Sequence, residues 1–143
     1  MLTTMIVEDN LLFREMFKGD LLSQFPSMQV TEAANGEEAF RRLASHPIDL
    51  VFMDIRLPGE NGLELTRKIK ADYKNVTIAI VTSYDLAEYR EAAVRCGADC
   101  FIAKDSMKWD QVATFVGCFQ RAKDTRGSKP SCFRLSREME RRD

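Results

Sequence analysis

The sequence predicts an α/β fold, a doubly wound five-stranded parallel sheet of (βα)5 type with helices on both faces, forming a three-layer sandwich. Short runs rich in Val, Ile and Phe alternate along the chain with longer stretches of helical periodicity. Several of these runs are almost continuously apolar, as expected for parallel strands that are buried on both faces. Because connections between parallel strands are right-handed, successive βα units cover both sides of the sheet.

Five apolar segments are the predicted strands, and each is short enough to be a strand rather than a helix. In chain order they are TTMIV (3–7), MQVTEA (28–33), IDLVFMD (48–54), VTIAIVT (76–82) and DCFIA (99–103). No sequence repeat accompanies the alternation, so the regularity is one of secondary structure alone.

Capping signals and apolar spacing predict the helices between the strands. A first helix follows Asn10, and its predicted inner face consists of Phe13, Met16, Phe17 and Leu21. A second helix begins after Asn35, because Glu38 lies three residues further on, in an arrangement like a capping box. A shorter helix near 62–71 follows the third strand and offers Leu65 and Ile69 to the core.

The last two helices are predicted from the same signals. Asp85 and Glu88 repeat the capping pattern before a helix at 85–96. Its inner face is predicted to be Leu86, Tyr89, Ala93 and Cys96. The final helix, 108–122, has an apolar stripe made of Val112, Phe115, Val116 and Phe119.

Length and composition indicate one globular domain. The chain has 143 residues and a formal net charge of -1, which argues against nucleic acid or acidic membranes as partners of the whole chain. Neither a membrane-spanning apolar run nor a signal peptide is evident, so we expect a cytoplasmic protein that does not contact the membrane. The four cysteines match no zinc-ligand spacing.

The apolar periodicity stops near residue 122. We therefore expect a domain at 1–122, followed at 123–143 by a charged linker or tail that contains Gly, Ser and Pro.

Polar residues end, or directly follow, four of the predicted strands. They are Glu8 and Asp9, Asp54, Thr82, and Lys104. Because ligands bind at the carboxyl ends of the strands in an open parallel sheet, we expect these side chains to converge there. An apolar strand that ends in the carboxylate of Asp54 needs such an explanation, since burying an unpaired charge is costly.

The chemistry of this set favours phosphoryl transfer. Carboxylates held close together repel one another, and a hard cation such as Mg²⁺ offsets that repulsion through oxygen ligands. A phosphoryl group could then lie between the metal, Lys104 and the hydroxyl of Thr82. The carboxylate of Asp54 could attack phosphorus and form an acyl phosphate. Pro58 and two glycines after Asp54 supply the residues that a turn beside the metal requires.

The motifs IVEDN, VFMDIRLPGENGLEL, IVTSYD and CGADCFIAKD occur in this order between residue 3 and about residue 122. Together they resemble a response-regulator receiver domain of two-component signalling. The resemblance implies a CheY-like, flavodoxin-like fold in which Asp54 is phosphorylated. It also implies that Glu8, Asp9, Asp54 and the backbone carbonyl of Arg56 bind Mg²⁺.

The same resemblance implies a switch. Thr82 would be the switch hydroxyl, Phe101 the switch aromatic and Lys104 the residue that pairs with the phosphate. The expected partner is a sensor histidine kinase or a phosphotransfer protein. Phosphorylation would change the surface formed by helix 85–96, strand 99–103 and helix 108–122, with a homodimer as one expected outcome and transcription as the expected output.

One position departs from the pattern of many receivers, because Asp105 and not proline follows Lys104. This feature is more similar to receivers of NarL/LuxR-type regulators. The tail segment FRLSREMERRD is faintly similar to the start of a LuxR-type helix-turn-helix. DNA binding would therefore occur only through a missing or degenerate output domain.

Two other functions compete with this interpretation. A phosphatase of the haloacid dehalogenase type also uses a nucleophilic Asp and Mg²⁺, but needs a second Asp two residues later, where this chain has Arg56. A receiver-like interaction module that is never phosphorylated is the other alternative. We expect no enzyme in the usual sense.

Overall fold

The computed structural model describes residues 2–105 and 109–125. Its five strands form one parallel sheet in the order β2-β1-β3-β4-β5. The strands are β1 (Thr3–Val7), β2 (Gln29–Ala33), β3 (Leu50–Met53), β4 (Thr77–Thr82) and β5 (Cys100–Ala103). This architecture confirms the predicted fold class.

Helices follow the strands in strict alternation. They are α1 (Leu11–Gln24), α2 (Gly36–Ser45), α3 (Gly62–Asp72), α4 (Ala87–Arg95) and α5 (Trp109–Thr125). α1 and α5 pack on one face of the sheet, and α2, α3 and α4 pack on the other. Within the described residues, no helix is long and apolar enough to cross a membrane.

The central strands contribute to two hydrophobic clusters, one on each face. In β3, Val51 and Met53 point to the α2–α4 side, whereas Leu50 and Phe52 point to the α1–α5 side. All four residues are at most 2% exposed. Because successive side chains of a strand point to opposite faces, a strand covered on both sides must be apolar throughout. This explains the continuous apolar runs of the sequence.

The predicted starts of the first two helices are confirmed. The side chain of Asn10 accepts a hydrogen bond from the amide of Phe13 at 3.0 Å, so it caps α1. Asn35 caps α2 in the same way, accepting from the amide of Glu38 at 2.9 Å. The carboxylate of Glu38 reaches back to the amide of Ala34 at 2.8 Å. The arrangement resembles a capping box, except that the carboxylate of Glu38 bonds the amide of Ala34 and not that of the cap residue Asn35.

The predicted start of α4 is wrong. α4 begins at Ala87, and its cap residue, Leu86, makes no side-chain capping bond. The carboxylate of Asp85 instead accepts a hydrogen bond from Nε of Arg90 at 2.7 Å. Leu86 is 49% exposed and does not belong to the inner face.

The predicted inner face of α1 needs one correction, whereas that of α5 is confirmed. Phe17 and Leu21 are fully buried, but Met16 is 50% exposed. Met16 precedes Phe17 by one residue, and one residue turns about 100° around a helix, so the two side chains face different directions. The stripe of α5 is buried along its length, and the helix continues to Thr125, beyond its predicted end at 122.

Candidate functional site

The register of the central strands brings two acids side by side at the carboxyl edge of the sheet. β1 pairs with β3 so that Val7 lies opposite Met53, and the next residues along each strand are Glu8 and Asp54. The amide of Asp54 donates to the carbonyl of Val7 at 3.0 Å, which extends the pairing to this point. The chain order of the strands reverses between β1 and β3, where ligands bind in open α/β sheets.

Three of the predicted metal ligands form one acidic cluster. Glu8, Asp9 and Asp54 each offer a carboxylate oxygen within 4.8 Å of the others. Glu8 and Asp54 are buried, whereas Asp9 is exposed at the rim. The structure therefore brings together, from two strands, all the carboxylates that the sequence predicted at this edge.

The electrostatics of this cluster fit a divalent cation. Burial raises the pKa of Glu8 to about 7, helped by its hydrogen bond with Asp54 and opposed by Lys104. Two buried carboxylates in contact disfavour a second negative charge, and a cation bound between them removes that penalty. The donors are all hard oxygen atoms, which suits Mg²⁺ rather than a softer metal.

Lys104 lies beside both buried acids, as predicted. Its Nζ is 2.9 Å from Oε2 of Glu8 and 3.5 Å from Oδ2 of Asp54. The side chain is 13% exposed, so water screens these contacts only partly. The amide of Lys104 donates to the carbonyl of Thr82 at 2.7 Å, which aligns the end of β5 with that of β4. The peptide bond to Asp105 is trans.

The two predicted switch residues lie on these same two strands. Thr82 is completely buried, and its hydroxyl accepts a hydrogen bond from the amide of Tyr84 at 3.3 Å. Phe101 is 6% exposed and belongs to the cluster under α2–α4. The guanidinium carbon of Arg90 lies 4.7 Å from the centre of the Phe101 ring, so α4 covers this ring with a cation.

The loop after Asp54 folds tightly against the acid. Oδ1 of Asp54 accepts a hydrogen bond from the amide of Ile55 at 2.8 Å, and the carbonyl of Ile55 accepts one from the amide of Gly62 at 2.7 Å. A Cβ atom on Gly62 would lie 1.8 Å from the carbonyl oxygen of Asp54, so only glycine fits there. Gly59, in the same loop, has a φ of 86°, a left-handed conformation that glycine adopts more readily than other residues.

Arg56 is exposed and lies over an aromatic ring. Its guanidinium carbon is 4.4 Å from the ring centre of Tyr84, which lies 5.9 Å from the ring of Tyr89. These contacts connect the loop after β3 with the start of α4. The predicted role of the Arg56 carbonyl as a metal ligand stays a prediction.

Two residues of α1 belong to the site although the sequence reasoning did not assign them to it. Nη1 of Arg14 donates to the carbonyl of Glu8 at 2.6 Å, and its Nε donates to Glu32 at 3.1 Å. The ring centre of Phe13 lies 4.3 Å from Nζ of Lys104. Phe13 carried only an apolar-stripe signal, and Arg14 carried none, because both contacts depend on how α1 packs on the sheet.

These features define an α/β protein with a candidate divalent-cation site at the switch point of its sheet. The chain matches the response regulator receiver domain over residues 4–114. It is 39% identical over 103 residues to a cyclic di-GMP phosphodiesterase of Thermotoga maritima, covering 72% of this chain and 27% of that protein. It is 35% identical over 102 residues to the oxygen regulatory protein NreC of Staphylococcus haemolyticus, covering 71% and 47%.

A solved structure has the same fold. The response regulator protein TrrA of Thermotoga maritima, in complex with Mg²⁺-BeF, is 32% identical and aligns with a TM-score of 0.71, covering 82% of this chain and 97% of that one. The present chain belongs to the response regulator receiver domain family of two-component systems. It spans about half or less of the length of the two curated relatives above.

Receiver domains bind Mg²⁺ at an acidic pocket and interact with histidine kinases or phosphotransfer proteins. The cluster of Glu8, Asp9 and Asp54 is consistent with such a pocket.

Proposed function

We propose that Asp54 accepts a phosphoryl group from a sensor histidine kinase or a phosphotransfer protein. One observation carries the proposal: a buried Asp at the switch point lies in an acidic cluster, with a lysine ammonium 3.5 Å from its carboxylate. The pocket thus combines an ammonium that can pair with a phosphoryl group, a carboxylate that can attack phosphorus, and oxygen atoms suited to a divalent cation.

Each residue has a distinct task in this reaction. Glu8, Asp9 and Asp54, with the carbonyl of Arg56, would hold Mg²⁺, which would neutralise their charge and bind a phosphoryl oxygen. The carboxylate of Asp54 attacks phosphorus as the bond from phosphorus to the donor nitrogen breaks, and the departing imidazole takes up a proton. Lys104 pairs with a second phosphoryl oxygen, because its ammonium already lies at this edge.

Phosphorylation is proposed to change the surface near α4, β5 and α5. The Thr82 hydroxyl, which accepts a long 3.3 Å bond from the amide of Tyr84, would turn to the phosphoryl group. Phe101 would move with it, and Arg90 above its ring would transmit the motion to α4. Two discrete arrangements biased by a local charge are sufficient for such a switch. A homodimer or a target protein would bind the altered surface.

The output is proposed to be transcriptional, on the resemblance of the sequence around Lys104 to receivers of NarL/LuxR-type regulators; the curated relatives include two proteins named as regulators, NreC and the aerobic respiration control protein ArcA of Escherichia coli. Residues 1–122 would be the receiver, and 123–143 a charged linker or the stub of an output domain, through which any DNA contact would be made. As a response regulator, the protein would work in the cytoplasm. It would act as a signalling module and not as an enzyme in the usual sense.

The test is the intact mass of the protein after incubation with Mg²⁺ and acetyl phosphate. We expect one phosphoryl adduct on the wild type and none on Asp54→Asn, which keeps the size of the side chain but removes the nucleophile. Omitting Mg²⁺ should prevent the adduct. If neither an adduct nor Mg²⁺ binding were detected, the chain would be a receiver-shaped interaction module instead.

A further inference from the structure

Lys104 has a third neighbour besides the two carboxylates. Its Nζ lies 4.3 Å from the centre of the Phe13 ring, well within the range of a cation–π interaction. Phe13 belongs to the first turn of α1, and Lys104 follows β5. The contact therefore joins two elements that are distant in sequence and that only the tertiary fold brings together.

The Phe13 ring is firmly held. It stacks on Phe17, with ring centres 5.8 Å apart and an angle of 16° between the planes. Phe17 is fully buried and makes edge contacts with Phe52 at 4.8 Å and Trp109 at 5.9 Å. Offset and edge-to-face aromatic pairs restrict ring orientation. The face that Phe13 offers to Lys104 is thus supported by a stack that extends into the core.

Unlike the two carboxylates, Phe13 attracts the Lys104 ammonium whether or not a metal ion is bound. Oε2 of Glu8 and Oδ2 of Asp54 lie 2.9 and 3.5 Å from the ammonium, but both acids belong to the acidic cluster that is the candidate cation site. A divalent cation on those oxygens weakens their attraction for the lysine. The ring carries no charge and no oxygen ligand, so its attraction for the ammonium remains.

We propose that Phe13 is a positioning residue for Lys104. Its ring holds the ammonium at the pocket while the carboxylates of Glu8 and Asp54 contact the divalent cation. The inference rests on the proposed function, because Lys104 acts there on the incoming phosphoryl group. Phe13 is half-buried, and apart from its stack on Phe17 it packs on the apolar cluster of this face, where another apolar side chain could fill the same space. Only the aromatic face accounts for an effect on the lysine.

The experiment compares three variants with the wild type. Phe13→Leu keeps an apolar side chain but removes the ring face. Phe13→Tyr keeps an aromatic ring at the same position. Phe25→Leu is the matched control, since Phe25 is a half-buried aromatic packed on the same cluster at the other end of α1. The rate of Asp54 phosphorylation by acetyl phosphate is measured at saturating Mg²⁺, and thermal unfolding is recorded for each protein.

We expect Phe13→Leu to slow phosphorylation by about five- to thirty-fold, the range that corresponds to the loss of a partly desolvated cation–π contact. Phe13→Tyr should stay within about two-fold of the wild type, and Phe25→Leu should leave the rate unchanged. Equal rates for Phe13→Leu and the wild type would overturn the inference. Equal slowing by Phe13→Leu and Phe25→Leu would also overturn it, because general packing would then explain the loss.

A second readout does not involve phosphorylation. In the metal-free protein, the ring current of Phe13 should shift the ε-methylene proton resonances of Lys104 upfield. The shift should disappear in Phe13→Leu and persist in Phe25→Leu, and its absence from the wild type would refute the contact. If the wild type itself forms no adduct, the proposed function fails and the inference with it; an adduct on the wild type with no effect of Phe13→Leu refutes the inference alone.

Discussion

Replacing Glu8 by Gln should remove a pH dependence of stability that the acidic cluster creates when no metal is bound. Burial and contact with Asp54 raise the pKa of Glu8 from 4.5 to about 7. Each pKa unit corresponds to about 1.4 kcal/mol, so the raised pKa represents about 3 kcal/mol. The folded state binds the proton more tightly, so this stability is fully present below pH 4.5 and is lost as the pH rises to about 7.

The assay is urea unfolding in EDTA at pH 5 and pH 7.5, for the wild type and Glu8→Gln. The other titrating groups are common to both proteins, so the difference between the two pH dependences reports Glu8 together with the groups that contact it, Asp54 and Lys104. We expect the wild type to lose about 2 kcal/mol more than the variant between the two pH values, since part of the effect is already lost at pH 5. Adding Mg²⁺ at pH 7.5 should stabilise the wild type, because the cation binds the folded state. Parallel pH dependences would refute this account of the cluster.

Two further predictions concern the loop after β3 and the lysine. Gly62→Ala should lower the free energy of unfolding by about 3 kcal/mol or more, because the new Cβ would lie 1.8 Å from the carbonyl oxygen of Asp54. Gly19→Ala is the control, because nothing lies within 4 Å of a Cβ at this helical site. Its free energy of unfolding should rise by up to about 1 kcal/mol. If urea unfolding showed equal losses of stability for the two variants, the clash at Gly62 would be contradicted. Lys104→Met should retain Mg²⁺ binding in titration calorimetry, because the acidic ligands remain, yet lose most phosphorylation in the mass assay. Undiminished phosphorylation would show that the ammonium 2.9 Å from Glu8 has no part in the reaction.

Much of the candidate site could be predicted because its acids have local signals. Asp54 ends an apolar run, and a parallel sheet brings all strand ends to one edge. Once the strands were assigned, the convergence of Glu8, Asp54 and Lys104 followed from topology, and their contacts confirm it.

The errors arose where side chains choose between partners. Asp85 has the sequence signal of a helix cap, yet its carboxylate pairs with Arg90 instead. Met16 fits an apolar stripe by spacing, but half of its surface is exposed because α1 presents Phe17 and Leu21 to the sheet. In both cases, a local pattern was compatible with more than one arrangement of the side chain, and the packing of the helix decided which one formed.

The sequence by itself determined the (βα)5 class and the acids at the strand ends, because apolar periodicity and the alternation of strands with helices are properties of short segments. Tertiary structure alone decided which groups support those acids. Phe13 reaches Lys104 and Arg14 reaches the carbonyl of Glu8 only through the rotation and position of α1 on the sheet. Those quantities are set by the combined packing of residues far apart in the chain, so no short segment encodes them.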